Sequence, residues 1–400
     1  MLAGEKTSRK KTFSLQLVLD YSRHMLPLAS SLTSIVYRYF LKPLLFTQDP
    51  ERVHDRFTMI GHRLGQSKTA RSLLGTIYRY HDPILTQTIN GISFPNPFGL
   101  SGGFDKDGKL ISLLPSLGFG YMQVGTATIQ PYTGNEKPRL YRLPKSKGIV
   151  VYYGLKNDGI PRIIQRLKKS YRPPNFPISL SIGMTNCREN CALSAGIEDY
   201  AAGLAAVEAS NVADIYTINI SCPNTFGGEP FTTPERLNAL LNRLDSLSPA
   251  KPLWIKMPIN LAWPQFKALL DILLDHNIQG IIIGNLNKNH QDNTIKDNIP
   301  PHIKGGISGL PTQKLSNELI SQTYQYCGDK LPIIGVGGVF SIDDAWEKIT
   351  RGATLVQLVT GLIFQGPQLI GQLNRQLAQR LRQSGYTSIT DAIGSQYKKH

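Results

Sequence analysis

The segment Asn219-Ile220-Ser221-Cys222-Pro223-Asn224 sets a thiol between two carboxamides. An asparagine amide both donates and accepts, which suits a planar polar ring with alternating N–H and C=O edges. A cysteine thiolate acts as a base, with a free pKa of roughly 8.5 that neighbouring cations lower; a buried cysteine outside such a setting is inert packing. Lys106, Lys256 and Asn285 stand at comparable points, each where a short apolar run ends. Either lysine alone reads as a surface residue. Two at the ends of core segments are costly unless an anionic or electron-accepting group lies between them. Glycines gather at the same points: Gly102-Gly103, Gly284, Gly335-Val336-Gly337-Gly338 and Gly361 after Thr360. Glycine lets backbone approach a ligand closely.

Eight β-rich runs must position these groups: 97–101, 121–125, 178–182, 215–220, 253–257, 280–284, 332–336 and 354–359. Most are continuously apolar, as a parallel sheet buried on both faces requires. Helical stretches separate them. Thr233-Pro234 opens one with an N-cap and a first-turn proline. Stretches 263–276 and 341–350 carry the 3.6-residue apolar period, and Ser341 with Asp344 forms an acidic capping pattern. Eight consecutive β/α units favour a closed (β/α)8 TIM barrel, an α/β fold, over an open doubly wound sheet. In such barrels the chemistry sits where strands run into helices, and glycine-rich loops after the last two strands form a common phosphate site. A phosphorylated ligand or cofactor is expected there; turn-making glycines are the alternative.

The chain has 400 residues, 41% hydrophobic and 18% charged, with a formal net charge of +16. That excludes a disordered protein. The excess charge suits a solvated basic surface, anionic ligands or an anionic membrane face. No nucleic-acid-binding motif is present, so no nucleic-acid partner is expected. The four cysteines (187, 191, 222 and 327) form no disulfide framework, and Cys187-x3-Cys191 lacks the second pair that a structural zinc site needs. No metal is expected. Residues 1–12 read as a basic leader, and 13–46 as two short helices broken at Pro27, with Arg38 and Lys42 among Leu, Phe and Tyr. The longest uncharged run there, 25–37, is too short to span a bilayer, but the composition suits the membrane interface. The alternative is helices that pack on the barrel. The division is 1–48 for the amphipathic arm and 49–400 for the barrel.

The motifs Gly103-Phe104-Asp105-Lys106, Gly134-Asn135-x-Lys137-Pro138-Arg139, Asn219-x-Ser221-Cys222-Pro223-Asn224, Gly305-Gly306-x-Ser308-Gly309 and Gly335-Val336-Gly337-Gly338 resemble those of the dihydroorotate dehydrogenases. Asp49-Pro50-Glu51-Arg52-Val53-His54 and the apolar arm before it resemble the membrane-associated, quinone-using class. The resemblance implies an FMN-dependent oxidation of dihydroorotate to orotate, with a quinone as final acceptor, in pyrimidine (UMP) synthesis. It implies FMN contacts from Gly102, Gly103, Thr126, Ser181, Asn219, Lys256, Gly284, Gly309, Gly338, Val359 and Thr360. Lys106 would touch both flavin and substrate, with Asn219, Asn224 and Asn285 holding the ring and Cys222 as base. It also implies a peripheral membrane protein, on the cytoplasmic face of the inner membrane in a bacterium.

The chain departs from the family pattern in three ways. The membrane-associated class carries serine as base; Cys222 is the soluble class's choice. The family's Asn-Arg-x-Gly-Phe-Asn-Asn is here Val151-Tyr152-Tyr153-Gly154-Leu155-Lys156-Asn157, so Val151 stands where an asparagine binds orotate. Ser181, Leu286 and Val359 replace other usual residues. An unpaired polar edge costs roughly 1–3 kcal/mol, which Tyr152, Lys156 or Asn157 could offset. The alternatives are an FMN enzyme for a different cyclic amide, or a family member that binds ligand without turnover.

Overall fold

The computed structural model describes residues 30–398. The basic leader and the break at Pro27 lie outside them. Eight parallel strands close on themselves: β1 (Phe98–Leu100), β2 (Tyr121–Ala127), β3 (Ile178–Ile182), β4 (Ile215–Asn219), β5 (Leu253–Met257), β6 (Gly280–Ile283), β7 (Ile333–Val336) and β8 (Ala353–Leu358). β8 pairs with β1 through Val356 opposite Phe98, which completes the ring. All eight coincide with the apolar runs read from the sequence. Helices cover the outside, their leucines and isoleucines buried against strand residues such as Leu180, Ile218 and Ile255 in one continuous core.

Helix boundaries follow their caps. Ser341 and Asp344 make a reciprocal capping box at the start of Ile342–Thr350, as their spacing predicts. Thr233 does precede Pro234–Asp245, but its hydroxyl makes no capping bond. Its place in the chain, with proline at the first turn, is what marks the helix start.

The end of the barrel away from the chemistry is plugged. Strands Gln87–Ile89 and Ile92–Phe94 form a hairpin whose Ile89 and Phe94 pack on Tyr121, Ile215 and Trp254 inside the strand ring. Higher up, the interior turns polar. Gln123 donates to Thr217 Oγ1 at 3.0 Å, Ser179 and Thr217 hydroxyls lie 2.7 Å apart, and Gln123 Oε1 accepts from Gly102 N at 3.1 Å. This layer fixes the loop after β1 from below.

A second sheet rises beside the opposite end. Leu140–Leu143, Gly148–Val151 and Gly306–Gly309 pair antiparallel and wall one side of the mouth. Above it lie helical residues 30–46 and the start of the helix Pro50–Gln66, while the next helix, Lys68–Tyr78, runs down the barrel side to Gly118 and Gly371. Asp49 caps the first of these two by accepting from Arg52 N at 2.8 Å, and Pro50 occupies its first turn. Its small and buried positions, Glu51, Thr58, Gly61 and Gly65, face the barrel. Leu32, Ile35, Val36, Tyr39, Phe40, Leu44, Phe57, Met59, Ile60 and Leu64 face outward. Such a concentration of exposed apolar side chains marks an interaction surface. No helix among the described residues is long and apolar enough to cross a membrane.

Candidate active site

A cleft of about 1040 Å³, counting its open mouth, lies at the carboxyl ends of the strands. Every site residue expected from the sequence lines it except Ser181. Ser181 stands one layer behind, fully buried, its hydroxyl 2.9 Å from Thr126 Oγ1. It orients Thr126, which also accepts from Asn219 Nδ2 at 2.7 Å.

The catalytic segment leaves β4 under tight control. Asn219 Oδ1 accepts from Ser221 N at 3.1 Å and from Ser221 Oγ at 2.7 Å. Asn285, on the loop after β6, donates to the Ser221 carbonyl and hydroxyl. Asn224 Nδ2 donates to the Val151 carbonyl at 2.9 Å, and the Asn224 carbonyl accepts from Asn135 Nδ2 at 2.9 Å. Asn219 and Asn285 thus both grip Ser221, and Asn224 ties the far end of the segment to Val151, on either side of Cys222. This is preorganisation: the loop geometry is set before a ligand arrives.

Backbone forms the other side. Gly337 and Gly338 have φ of 106° and 70°, where an L side chain is strained. A Cβ on Gly337 would stand 2.3 Å from Thr312 Oγ1. Gly103 has φ 106°, yet a Cβ there would meet nothing within 4 Å. Its bare backbone borders open cleft, where a side chain would project. Thr360 donates to Ser308 Oγ at 2.9 Å, joining the loop after β8 to the side sheet.

The electrostatics follow from burial. Lys256 is 5% exposed, and among the described residues no carboxylate pairs with it. Desolvation lowers its pKa to about 8, against the small opposing pull of Cys222. Lys106 falls to about 8 by desolvation and by the charge of Lys156. Its Nζ sits 3.7 Å from the centroid of the Tyr153 ring, a cation–π contact that holds the ammonium at the wall. The sequence reading has cations lowering the Cys222 pKa; the structure reverses the net direction. Burial pushes the thiol up to about 11; a hydrogen bond from the Asn224 backbone N–H and the charge of Lys256 only partly offset it, and Glu229 adds to it.

The wall at 151–157 departs most from the family pattern. Val151 presents an isopropyl group to the cleft. Asn157 gives no relief: its Nδ2 donates to Thr128 Oγ1 and the Leu155 carbonyl, and its Oδ1 accepts from Thr128 N and Gly159 N. Tyr152 does not line the cleft; its backbone N–H donates to the Arg139 carbonyl. Lys156 does line it, while its Nζ donates to Glu51 Oε1 at 3.1 Å. Glu51, on the helix Pro50–Gln66, is buried and also binds Arg139 at 3.0 Å. From the same helix His54 contacts the Phe104 carbonyl through Nε2 at 2.9 Å. Tyr153, which lines the cleft, and Glu51, which ties Lys156 and Arg139 together, are passed over by sequence reasoning. An acid in a helix first turn ordinarily reads as a dipole partner in solvent, and nothing local marks this one as buried.

The family model of dihydroorotate dehydrogenase matches residues 84–381. The chain is 32% identical over 394 residues to the dihydroorotate dehydrogenase (quinone) of Synechocystis sp., covering 94% of this chain and 98% of that one. It is 36% identical over 354 residues to the protein of that name from Thermosynechococcus vestitus, covering 85% and 96%. Among solved structures it resembles the DHODH of Eimeria tenella in complex with ferulenol, with TM-score 0.77, 26% identity, and 88% and 96% of the two chains covered. A closed parallel barrel, a thiol braced by amides beside two lysines, and these relatives agree: the chain belongs to the dihydroorotate dehydrogenase family.

Proposed function

We propose that this chain oxidises dihydroorotate to orotate with FMN in the cleft and a quinone as final acceptor, as a step of pyrimidine synthesis. The observation that carries the reading is the convergence of Cys222, Lys106, Lys256 and the amides of Asn219, Asn224 and Asn285 on one cleft floored by glycine backbone.

The residues present fit FMN. Gly309, Gly337, Gly338, Thr360 and Gly361 offer a backbone cradle suited to its phosphate. Gly102, Gly103, Thr126, Asn219 and Gly284 would border its ring system, between the apolar walls of Val336 and Val359. Lys256, buried and without an acidic partner, would supply the positive charge that a reduced flavin calls for. FMN, when bound, would supply the acceptor for the hydride of dihydroorotate C6 and the relay of electrons to quinone. The chain's own work is the rest. Cys222 Sγ takes the proton from C5. Asn219, Asn224 and Asn285 hold the ring edges so that C5 faces the sulfur, and Lys106 attracts the substrate anion.

The quinone reaches the cleft from the side of the N-terminal helices. An apolar cluster of Phe46, Leu140, Ile149, Phe340 and Phe364 extends from those helices to Val151 at the cleft. The outward apolar face, with half-buried Arg38 and Lys42 on the same helical stretch, suits peripheral attachment to an anionic membrane, the cytoplasmic face of the inner membrane in a bacterium.

Anaerobic mixing with dihydroorotate should bleach the flavin absorbance. A flavin that stays oxidised, yet is reduced by dithionite, would overturn the substrate. A colourless protein that takes up no FMN would overturn the cofactor. Val151 favours one other reading, an FMN-dependent oxidoreductase for a cyclic amide lacking the group that an asparagine there would bind; rapid bleaching by dihydroorotate removes it.

A further inference from the structure

Two lysines approach one aromatic ring at the cleft wall. Lys106 Nζ is 3.7 Å and Lys156 Nζ 5.9 Å from the Tyr153 ring centroid. All three residues line the cleft. Like charges held together in a partly enclosed site repel, and after burial the Lys156 charge is the main influence lowering the Lys106 pKa.

Acidic groups do not cancel this pair. Among the described residues no carboxylate lies in ion-pairing range of Lys106. Lys156 has Glu51, but the same Oε1 also serves Arg139. One carboxylate therefore faces two cations, and an ammonium has three donors of which Glu51 takes one. Asp107, Asp55 and Glu51 act on Lys106 only at a distance, and Asp107 pairs with Lys109 at 3.4 Å. Beside the two lysines the wall is Val151 and Leu155, whose side chains bring no competing charge.

We propose that Lys106 and Lys156, standing over Tyr153, form a two-cation subsite for the carboxylate of the substrate, with Lys156 the specificity-determining residue that the apolar wall at Val151 makes necessary. The inference rests on the substrate class proposed above. It gives Lys156 two duties, one donor on Glu51 and the others toward the ligand. It also explains why a second lysine is tolerated beside Lys106: the anion satisfies both, through charge-assisted hydrogen bonds that are stronger than neutral ones.

The test is equilibrium binding of orotate and of uracil, the same ring without the carboxylate, to the full-length FMN-loaded enzyme and to Lys156→Met and Lys156→Arg. The expected result is a loss of orotate affinity of about tenfold or more in Lys156→Met, uracil binding unchanged, and recovery of orotate binding in Lys156→Arg. The KM for dihydroorotate should rise in step while kcat changes little. Orotate affinity unchanged in Lys156→Met would overturn the subsite. Equal losses for orotate and uracil, or a Lys156→Met protein that fails to fold, would assign Lys156 to pinning the helix through Glu51 and overturn it too. A wild-type protein that is not reduced by dihydroorotate and binds no orotate removes the substrate reading itself, a different signature from a selective failure of the variant.

Discussion

The two sides of the cleft are built from different materials. After β7 and β8 the cleft is backbone: Gly337, Gly338 and Gly361 hold φ values or close approaches that side chains would forbid. Across from it, the wall from 151 to 156 is side chain: Val151, Tyr153, Leu155 and Lys156. The first side matches the family's glycine pattern; the second has exchanged an asparagine for valine. At these three glycines a Cβ would obstruct, so this part of the cradle resists substitution. A side-chain wall can lose one group and recover its function from a neighbour. The ligand held by the cradle is therefore the more constrained of the two, and the ligand held by the wall the more adjustable.

Four measurements would break or sharpen that contrast. Cys222→Ala should slow anaerobic flavin reduction by about 10²–10⁴-fold, the range of general-base contributions, and leave flavin content intact. Loss of flavin with loss of rate would mean that the two sides are not separable. Gly337→Ala should do the opposite. With φ at 106° and a Cβ 2.3 Å from Thr312 Oγ1, it should weaken FMN retention by about tenfold or more through backbone strain, read as flavin content after gel filtration; full retention would show that the cradle is softer than its geometry implies. The reduction rate of the wild type should rise by about tenfold or more from pH 6 to 8 and then stop rising. The sign follows from the raised pKa of Cys222, near 11: the basic thiolate is scarce at neutral pH and gains with each pH unit, until Lys106 and Lys256 lose their protons near 8. A profile flat between pH 6 and 8 would remove the thiolate as base. Val151→Asn should tighten orotate by about 2- to 10-fold, the worth of one added hydrogen bond, in a titration of flavin absorbance; weaker binding would show that the wall has been rebuilt around valine.

The barrel was legible because its physics is repetitive. A strand buried on both faces must be apolar throughout, and Ile178–Ile182 or Leu253–Met257 can be read as little else. The hairpin Gln87–Ile89 and Ile92–Phe94 is missing from the sequence reading, though its signal is there: Asn90-Gly91 joins the strands with φ of 52° and 76°, as a tight two-residue hairpin requires. The side sheet was harder, since Gly148–Val151 pairs with Gly306–Gly309 across more than 150 residues, and no local pattern encodes so distant a partner. In the site, residues at strand ends could be ranked from sequence because barrels place them predictably. The pKa of Cys222 could not, because burial outweighs the nearby cations only once the loop is folded. Nor could the tie between Lys156 and Glu51, which joins a barrel loop to a helix 105 residues earlier.

That tie has a thermodynamic consequence. Glu51 belongs to the helix that carries outward-facing Phe57, Met59 and Ile60, and it holds a lysine that borders the cleft. Were that helix to dock on a lipid surface as proposed, a shift of it would change how firmly Lys156 is held, and bilayer and orotate would act on one shared group. Linkage then demands reciprocity: whatever factor a bilayer applies to orotate affinity, orotate must apply to the affinity for the bilayer. Paired titrations of orotate with and without anionic liposomes, and of liposomes with and without orotate, should return the same ratio. A ratio of one in both would show the helix to be a fixed anchor, transmitting nothing between surface and cleft.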